Sequence, residues 1–186
     1  LVVMAALIAV ALIAVAVLLD EDIGRAKRKP ALRSVLSKST AINRLSAARL
    51  FLFASRDIWF VVALPVFLDE ALGWSYEGIG GFLAAWVIGY GIVQSFAPRL
   101  LRRSLATVAA EIGAARRWAL ALTVVSGALA VGVAADVAVT AVVVGGLVVF
   151  GVVFAVNSSL HSYLVLAYSS GDDVSLDVGF YYSANA

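Results

Sequence analysis

Cysteine is missing altogether from this 186-residue sequence, and histidine occurs once. The first absence excludes disulfides, thiolate nucleophiles and Cys-ligated zinc, and the second excludes a metal site built from clustered histidines. Charge is scarce as well. Asp, Glu, Lys and Arg make up 14% of the residues, where about a quarter is usual in a soluble domain. Hydrophobic residues make up 63%, and the mean hydropathy is +1.01. In water such a chain would need an oversized core, whereas runs of about 20 apolar residues each cross a bilayer on their own. No His-carboxylate-Ser constellation is present, and Gly78-Ile79-Gly80-Gly81 opens an apolar run rather than a strand-to-helix phosphate loop. Neither enzyme chemistry nor a cofactor is therefore expected.

What is present is a series of long apolar runs, at 1–19, 47–68, 78–97, 118–135 and 138–167, with a further short run from 178. They are too long and too free of alternation for barrel strands, and an open sheet cannot satisfy its edges in lipid. The expected fold class is all-α, a polytopic transmembrane helix bundle. Leu1 opens straight into an apolar run, with no initiator Met or basic flank. That predicts the remaining part of a span rather than a signal peptide. The run from 178 reads as the first turns of another helix, so the expected functional unit is longer.

Short basic loops stay on the cytoplasmic side of a membrane. Arg25, Lys27, Arg28, Lys29, Arg33, Lys38, Arg44 and Arg49 gather between the first two runs, while the next connection holds Asp69, Glu70 and Glu77 and no base. The first loop is expected inside and the second outside. Arg99, Arg102, Arg103, Arg116 and Arg117 return the chain to the inside, Asp136 marks an outside turn, and 169–177 with its acids falls inside. Localisation is thus a cell membrane, plasma or inner, with 20–46 a cytoplasmic linker. This basic stretch reads as a positive-inside loop touching anionic lipid, with no nucleic-acid role. Leu32, Val35, Leu36, Ile42 and Leu45 between its bases suggest an interfacial helix.

Ionisable groups within a span cost roughly 2.5 to 3.5 kcal/mol each on insertion scales, so they are expected to face a bundle interior or an aqueous cavity. The runs 1–19 and 118–135 carry nothing more polar than Thr123 and Ser126 and are expected to form an outer layer. Arg56 and Asp57 lie deep in 47–68. Neighbouring positions point about 100° apart, which predicts a separate partner for each on other helices. Two readings stand for them: Arg56 attracts an anionic substrate while Asp57 orients it or carries a proton, or both belong to a structural charge network. Trp86, Tyr90 and Gln94 form an aromatic and polar stripe, read either as cavity lining or as packing. Gly81, Ala85 and Gly89 form a small-residue stripe expected to meet another helix closely. Val87-Ile88-Gly89-Tyr90-Gly91 looks like a potassium-channel filter, but Val87 stands at the threonine position and the apolar run continues through it. A membrane channel or scaffold is the alternative from another class. In 138–167, Asn157 and His161 share a helix face, His161 as a substrate ligand, a protonation switch or an interhelical hydrogen-bonding group. Tyr181, Tyr182 and Asn185 mark the last run as polar enough to line a cavity.

Three stretches carry a family resemblance: Ser55-Arg56-Asp57-Ile58-Trp59-Phe60 through Leu68; Gly73-Trp74-Ser75 with Gly80 through Gly91; and His161-Ser162-Tyr163-Leu164 with Val178 through Tyr182. Together they resemble the organoarsenical efflux permeases of the major facilitator superfamily, over most of 46–186. The resemblance implies two six-helix halves joined by a cytoplasmic loop. Residues 1–19 would then be the last helix of the first half, 20–46 the linker, and 47–186 helices seven to ten with the start of eleven. It also implies export of 1-arseno-3-phosphoglycerate, formed when a glyceraldehyde-3-phosphate dehydrogenase uses arsenate, and hence a functional link to that enzyme. Another drug, sugar or metabolite permease is the alternative. The small-molecule site expected from the residues themselves is Arg56, Asp57, Tyr90, Gln94, Asn157, His161, Tyr181 and Asn185.

Overall fold

A computed structural model describes residues 2–18, 39–101, 107–169 and 174–184. Asn185, Arg102, Arg103, Asp172, Asp173 and the linker stretch 19–38 lie outside them. Among the described residues the chain is helical, without strands. Helix α1 is Val2–Leu18. Helix α2 covers Thr40–Glu70, and α3, α4, α5 and α6 are Tyr76–Leu101, Val108–Ala134, Val139–Tyr168 and Val174–Ser183. Helices α2 to α5 are long and apolar enough to cross a membrane.

Polar side chains at the boundaries decide where several helices start. Ser39 Oγ accepts the Ile42 N–H at 3.2 Å, Ser75 Oγ the Gly78 N–H at 3.2 Å, and Thr107 Oγ1 the Ala110 N–H at 3.2 Å. Each satisfies a backbone donor that the first turn leaves open. The cap at Ser39 starts α2 at Thr40, ahead of the expected 47. Ile42 and Leu45 are not part of an interfacial helix; they are buried with Leu164, Val165 and Tyr181. Leu32, Val35 and Leu36 lie outside the described residues. Midway along α2 the backbone widens into a π turn at Trp59–Ala63. Pro65 lies two residues beyond it, and a proline inside a helix crowds the preceding turn, which a widened turn can absorb.

Helix α5 is the centre of the bundle, with α2, α3, α4 and α6 packed around it. Lipid gives apolar helices little reason to associate, so close backbone approach and van der Waals packing carry the contacts. Gly132 and Gly146 provide that approach between α4 and α5: a Cβ on Gly132 would lie 2.7 Å from Val142, and one on Gly146 would collide with Leu129. Gly151 does the same for α3, with the Trp86 indole 3.1 Å from where its Cβ would be. The expected stripe of Gly81, Ala85 and Gly89 is not such a contact among the described residues, because a Cβ at Gly81 or Gly89 would meet nothing. The tight turn into α5 bends at Asp136 and Ala138, whose φ values are 54° and 47°.

Exposure follows the polarity map in part. Helix α1 is exposed along its described side chains and packs on none of the other described helices. Helix α4 exposes Leu120, Val124 and Val131, yet its other face lies along α5 and its first turn buries Glu111.

Candidate functional site

The polar residues of the bundle gather where α2, α5 and α6 meet. Helices α2 and α5 run antiparallel: Phe53 meets Phe154 edge to face at 5.4 Å, Trp59 meets Phe150 at 5.2 Å, and Ile42 and Leu45 join Leu164 and Val165. These apolar layers bracket a polar one. On α2 it contains Ser46 and Arg49, on α5 Asn157 and His161, and on α6 Asp177 and Tyr181, all buried.

Arg49 is the hub. Only 4% exposed, it donates from Nη1 to the Tyr181 hydroxyl at 3.1 Å. Its guanidinium carbon lies 4.1 Å from the centre of the Phe53 ring, 4.6 Å from that of Tyr181 and 4.3 Å from that of Tyr182. Aromatic faces carry negative potential, and they attract a desolvated guanidinium more strongly than one in water. His161 lies within electrostatic reach of the same charge. Sequence reasoning assigned Arg49 to the basic loop and so missed it. The signal that finds it is the spacing of Ser46, Arg49, Phe53 and Arg56, which repeats at helical intervals and puts all four on one face.

Arg56 and Asp57 do not each find a partner on another helix. They pair with each other, Nε donating to Oδ1 at 2.6 Å and Nη2 lying 2.6 Å from the same oxygen. The divergence of neighbouring Cβ atoms fails as a guide here because the long arginine stem lets the guanidinium swing round the helix to the adjacent carboxylate. The pair is half-buried, with Arg56 21% and Asp57 41% exposed. The Arg56 guanidinium carbon is 5.3 Å from the Phe53 ring centre and 5.0 Å from that of Phe154.

The remaining expected residues separate into two groups. Trp86 is committed to packing: its Nε1–H donates to the Leu147 carbonyl at 2.7 Å, and its ring stacks on Tyr90 at 5.8 Å. Tyr90 also meets Phe154, and Gln94 Nε2 reaches the Ser158 hydroxyl at 3.4 Å. The stripe of Trp86, Tyr90 and Gln94 thus faces α5. Asn157 and His161 belong to the central layer, where Asn157 Oδ1, His161 Nδ1 and Ser46 Oγ are buried without a hydrogen-bond partner. Buried polar atoms are normally paired, so these three stand out in the layer. Tyr181 is fully buried against Arg49, and Tyr182 is 43% exposed with its hydroxyl 3.3 Å from Ser162 Oγ. Asn185 lies outside the described residues.

A cleft of about 700 Å³ opens elsewhere, between the Glu70 half of α2 and helices α4 and α5. Trp59, Phe67, Leu129, Val133, Leu147 and Phe150 line it, together with Ser55 and Ser126 as polar groups. None of the expected site residues does. No group of His, Asp and Glu able to hold a metal ion occurs among the described residues.

These features define a membrane-embedded helical bundle with a charged and aromatic centre. No protein-family model, no curated protein and no solved structure matches the chain.

Proposed function

We propose that this chain serves a secondary transporter of the major facilitator type, exporting a small organic anion across the cell membrane. The observation that carries the reading is the Arg56–Asp57 pair, half-exposed on a helix otherwise apolar enough to span a bilayer. Holding two ionised groups there is costly, and such residues recur where ions or substrates pass. A guanidinium binds a phosphate-type oxyanion through paired, charge-assisted hydrogen bonds, so an anionic substrate competes with Asp57 for Arg56. Asp57 then accepts a proton or turns to a substrate hydroxyl. The membrane potential assists export, because each negative charge leaving a negative interior gains about 2.3 kcal/mol per 100 mV.

The substrate we infer is 1-arseno-3-phosphoglycerate, supplied by a glyceraldehyde-3-phosphate dehydrogenase working on arsenate. This rests on the resemblance of 46–186 to the organoarsenical permeases and on the fit of a multiply anionic molecule to an arginine within the membrane. Residues 20–46 would lie on the cytoplasmic side. Replacing Arg56 by Ala in the full-length protein abolishes arsenate resistance while the amount of protein in the membrane stays the same. Unchanged resistance removes Arg56 from the site. The apolar cleft favours one second reading, a permease for hydrophobic compounds, because its volume falls in the range of small-molecule pockets.

A further inference from the structure

We propose that the cleft between the Glu70 half of α2 and helices α4 and α5 holds one acyl chain of a phospholipid whose headgroup carries an ammonium group, as in phosphatidylethanolamine. This lipid site is separate from the polar layer and stands whether or not the chain moves an anion.

The polar side chains that line the cleft have already spent their hydrogen bonds. Ser55 Oγ donates to the Leu52 carbonyl at 2.6 Å, Trp59 Nε1 to the Ser55 carbonyl at 2.5 Å, and Ser126 Oγ to the Leu122 carbonyl at 2.9 Å, each within its own helix. The rest of the lining is apolar. A ligand rich in donors and acceptors would bury them here unanswered, whereas a hydrocarbon chain has none to bury. Depth selects the same occupant. At a rise of about 1.5 Å per residue the lining runs about 18 Å along α2, from Ser55 to Phe67, and about 12 Å along α4, from Ser126 to Ala134. One leaflet contributes about 15 Å, half of the roughly 30 Å hydrocarbon core. Toward the other leaflet α2 and α5 close on each other, with Phe53 against Phe154. A seat for a further spanning helix would continue through both leaflets; a slot one leaflet deep takes a chain of that leaflet.

Charge at the mouth selects the headgroup. Glu70 lies about one turn beyond Phe67 and continues the α2 face of Ala63 and Phe67, and Asp136 closely follows Ala134; both acids are exposed. Asp69 and Glu77 flank the same end, and no Lys or Arg occurs in 57–98 or beyond Arg117. An ammonium is attracted to this rim and lies between its own phosphate and the carboxylates. A headgroup of net negative charge meets the same carboxylates with no cation to answer it.

Full-length protein in membranes of equal phosphatidylethanolamine and phosphatidylglycerol, extracted in mild detergent, tests the site by native mass spectrometry of the lipid that stays bound. The wild-type protein should retain phosphatidylethanolamine about fivefold over phosphatidylglycerol, roughly what one charge contributes near a membrane surface. Ala130→Trp extends a ring from an exposed lining position into the cleft and should abolish that retention, with an unchanged unfolding midpoint as the control for folding. Glu70→Gln combined with Asp136→Asn should keep a bound lipid and remove the preference. Equal retention of the two lipids by the wild-type protein, or a preference for phosphatidylglycerol, overturns the proposal without relying on any variant to fold. So does the absence of retained lipid, or a hydrophobic compound of another kind in its place. Full retention by a folded Ala130→Trp protein puts the lipid elsewhere on the surface and overturns the cleft as its seat.

Discussion

Between Thr40 and Ile58, α2 brings Arg49 and Phe53 against polar and aromatic groups of α5 and α6; from the π turn on it presents Trp59, Leu64 and Phe67 to a wide apolar cleft. The charged half is closely packed and the apolar half is open. In a protein surrounded by lipid, an apolar hollow needs nothing special to fill it, since acyl chains serve as well as side chains do. Polar groups have no such substitute and must be answered by neighbours or by a ligand. The apolar cleft is therefore a poor guide to the chemistry of this chain, and the residues around Phe53 are a better one.

The largest effect expected from either half is that of Arg49→Ala. It removes a buried cation from a hydroxyl and three rings, and should cost about 3 kcal/mol of unfolding free energy in detergent. A change below about 0.5 kcal/mol would mean that the polar layer does not hold α6 to α2. Gly146→Val forces a branched side chain into Leu129 across the α4–α5 contact and should cost about 2 kcal/mol, read as a lower unfolding midpoint. Trp59→Ala, in the cleft, loses edge-to-face contacts with Phe60 and Phe150 and should cost about 1 kcal/mol. Arsenate resistance should survive it; loss of resistance would move the site into the cleft and reverse the comparison. The smallest stability change belongs to Arg56→Ala, under about 1 kcal/mol because the ion pair lies within α2 rather than between helices. That variant separates stability from activity, since resistance should vanish while the unfolding midpoint barely moves.

Much of the architecture was legible in the sequence, because apolar runs of bilayer length permit few alternatives. Four of the expected runs became helices of spanning length, with α2 and α4 starting earlier than their apolar residues suggested. Those early starts depend on the caps at Ser39 and Thr107, which hydropathy does not register. Arg49 was hidden for a related reason: it ends a basic stretch, so counting loop charges absorbed it, although its face is shared with Phe53 and Arg56. Which glycines allow helices to approach could not be read from one helix alone. Gly81 and Gly89 have the expected spacing, yet what matters is the side chain opposite, and it is Val142, Leu129 and Trp86 that fill the space at Gly132, Gly146 and Gly151. The Arg56–Asp57 pair is not legible from backbone direction, because side-chain reach decides it.

The proposed passage of an anion along α2 is tested most directly at Arg56. Everted membrane vesicles containing the full-length protein, supplied with glyceraldehyde-3-phosphate dehydrogenase, its substrates and arsenate, should accumulate arsenic together with phosphoglycerate. Vesicles with Arg56→Ala at the same protein level should accumulate no more than vesicles lacking the protein. Equal accumulation by wild-type and Arg56→Ala vesicles would contradict the claim.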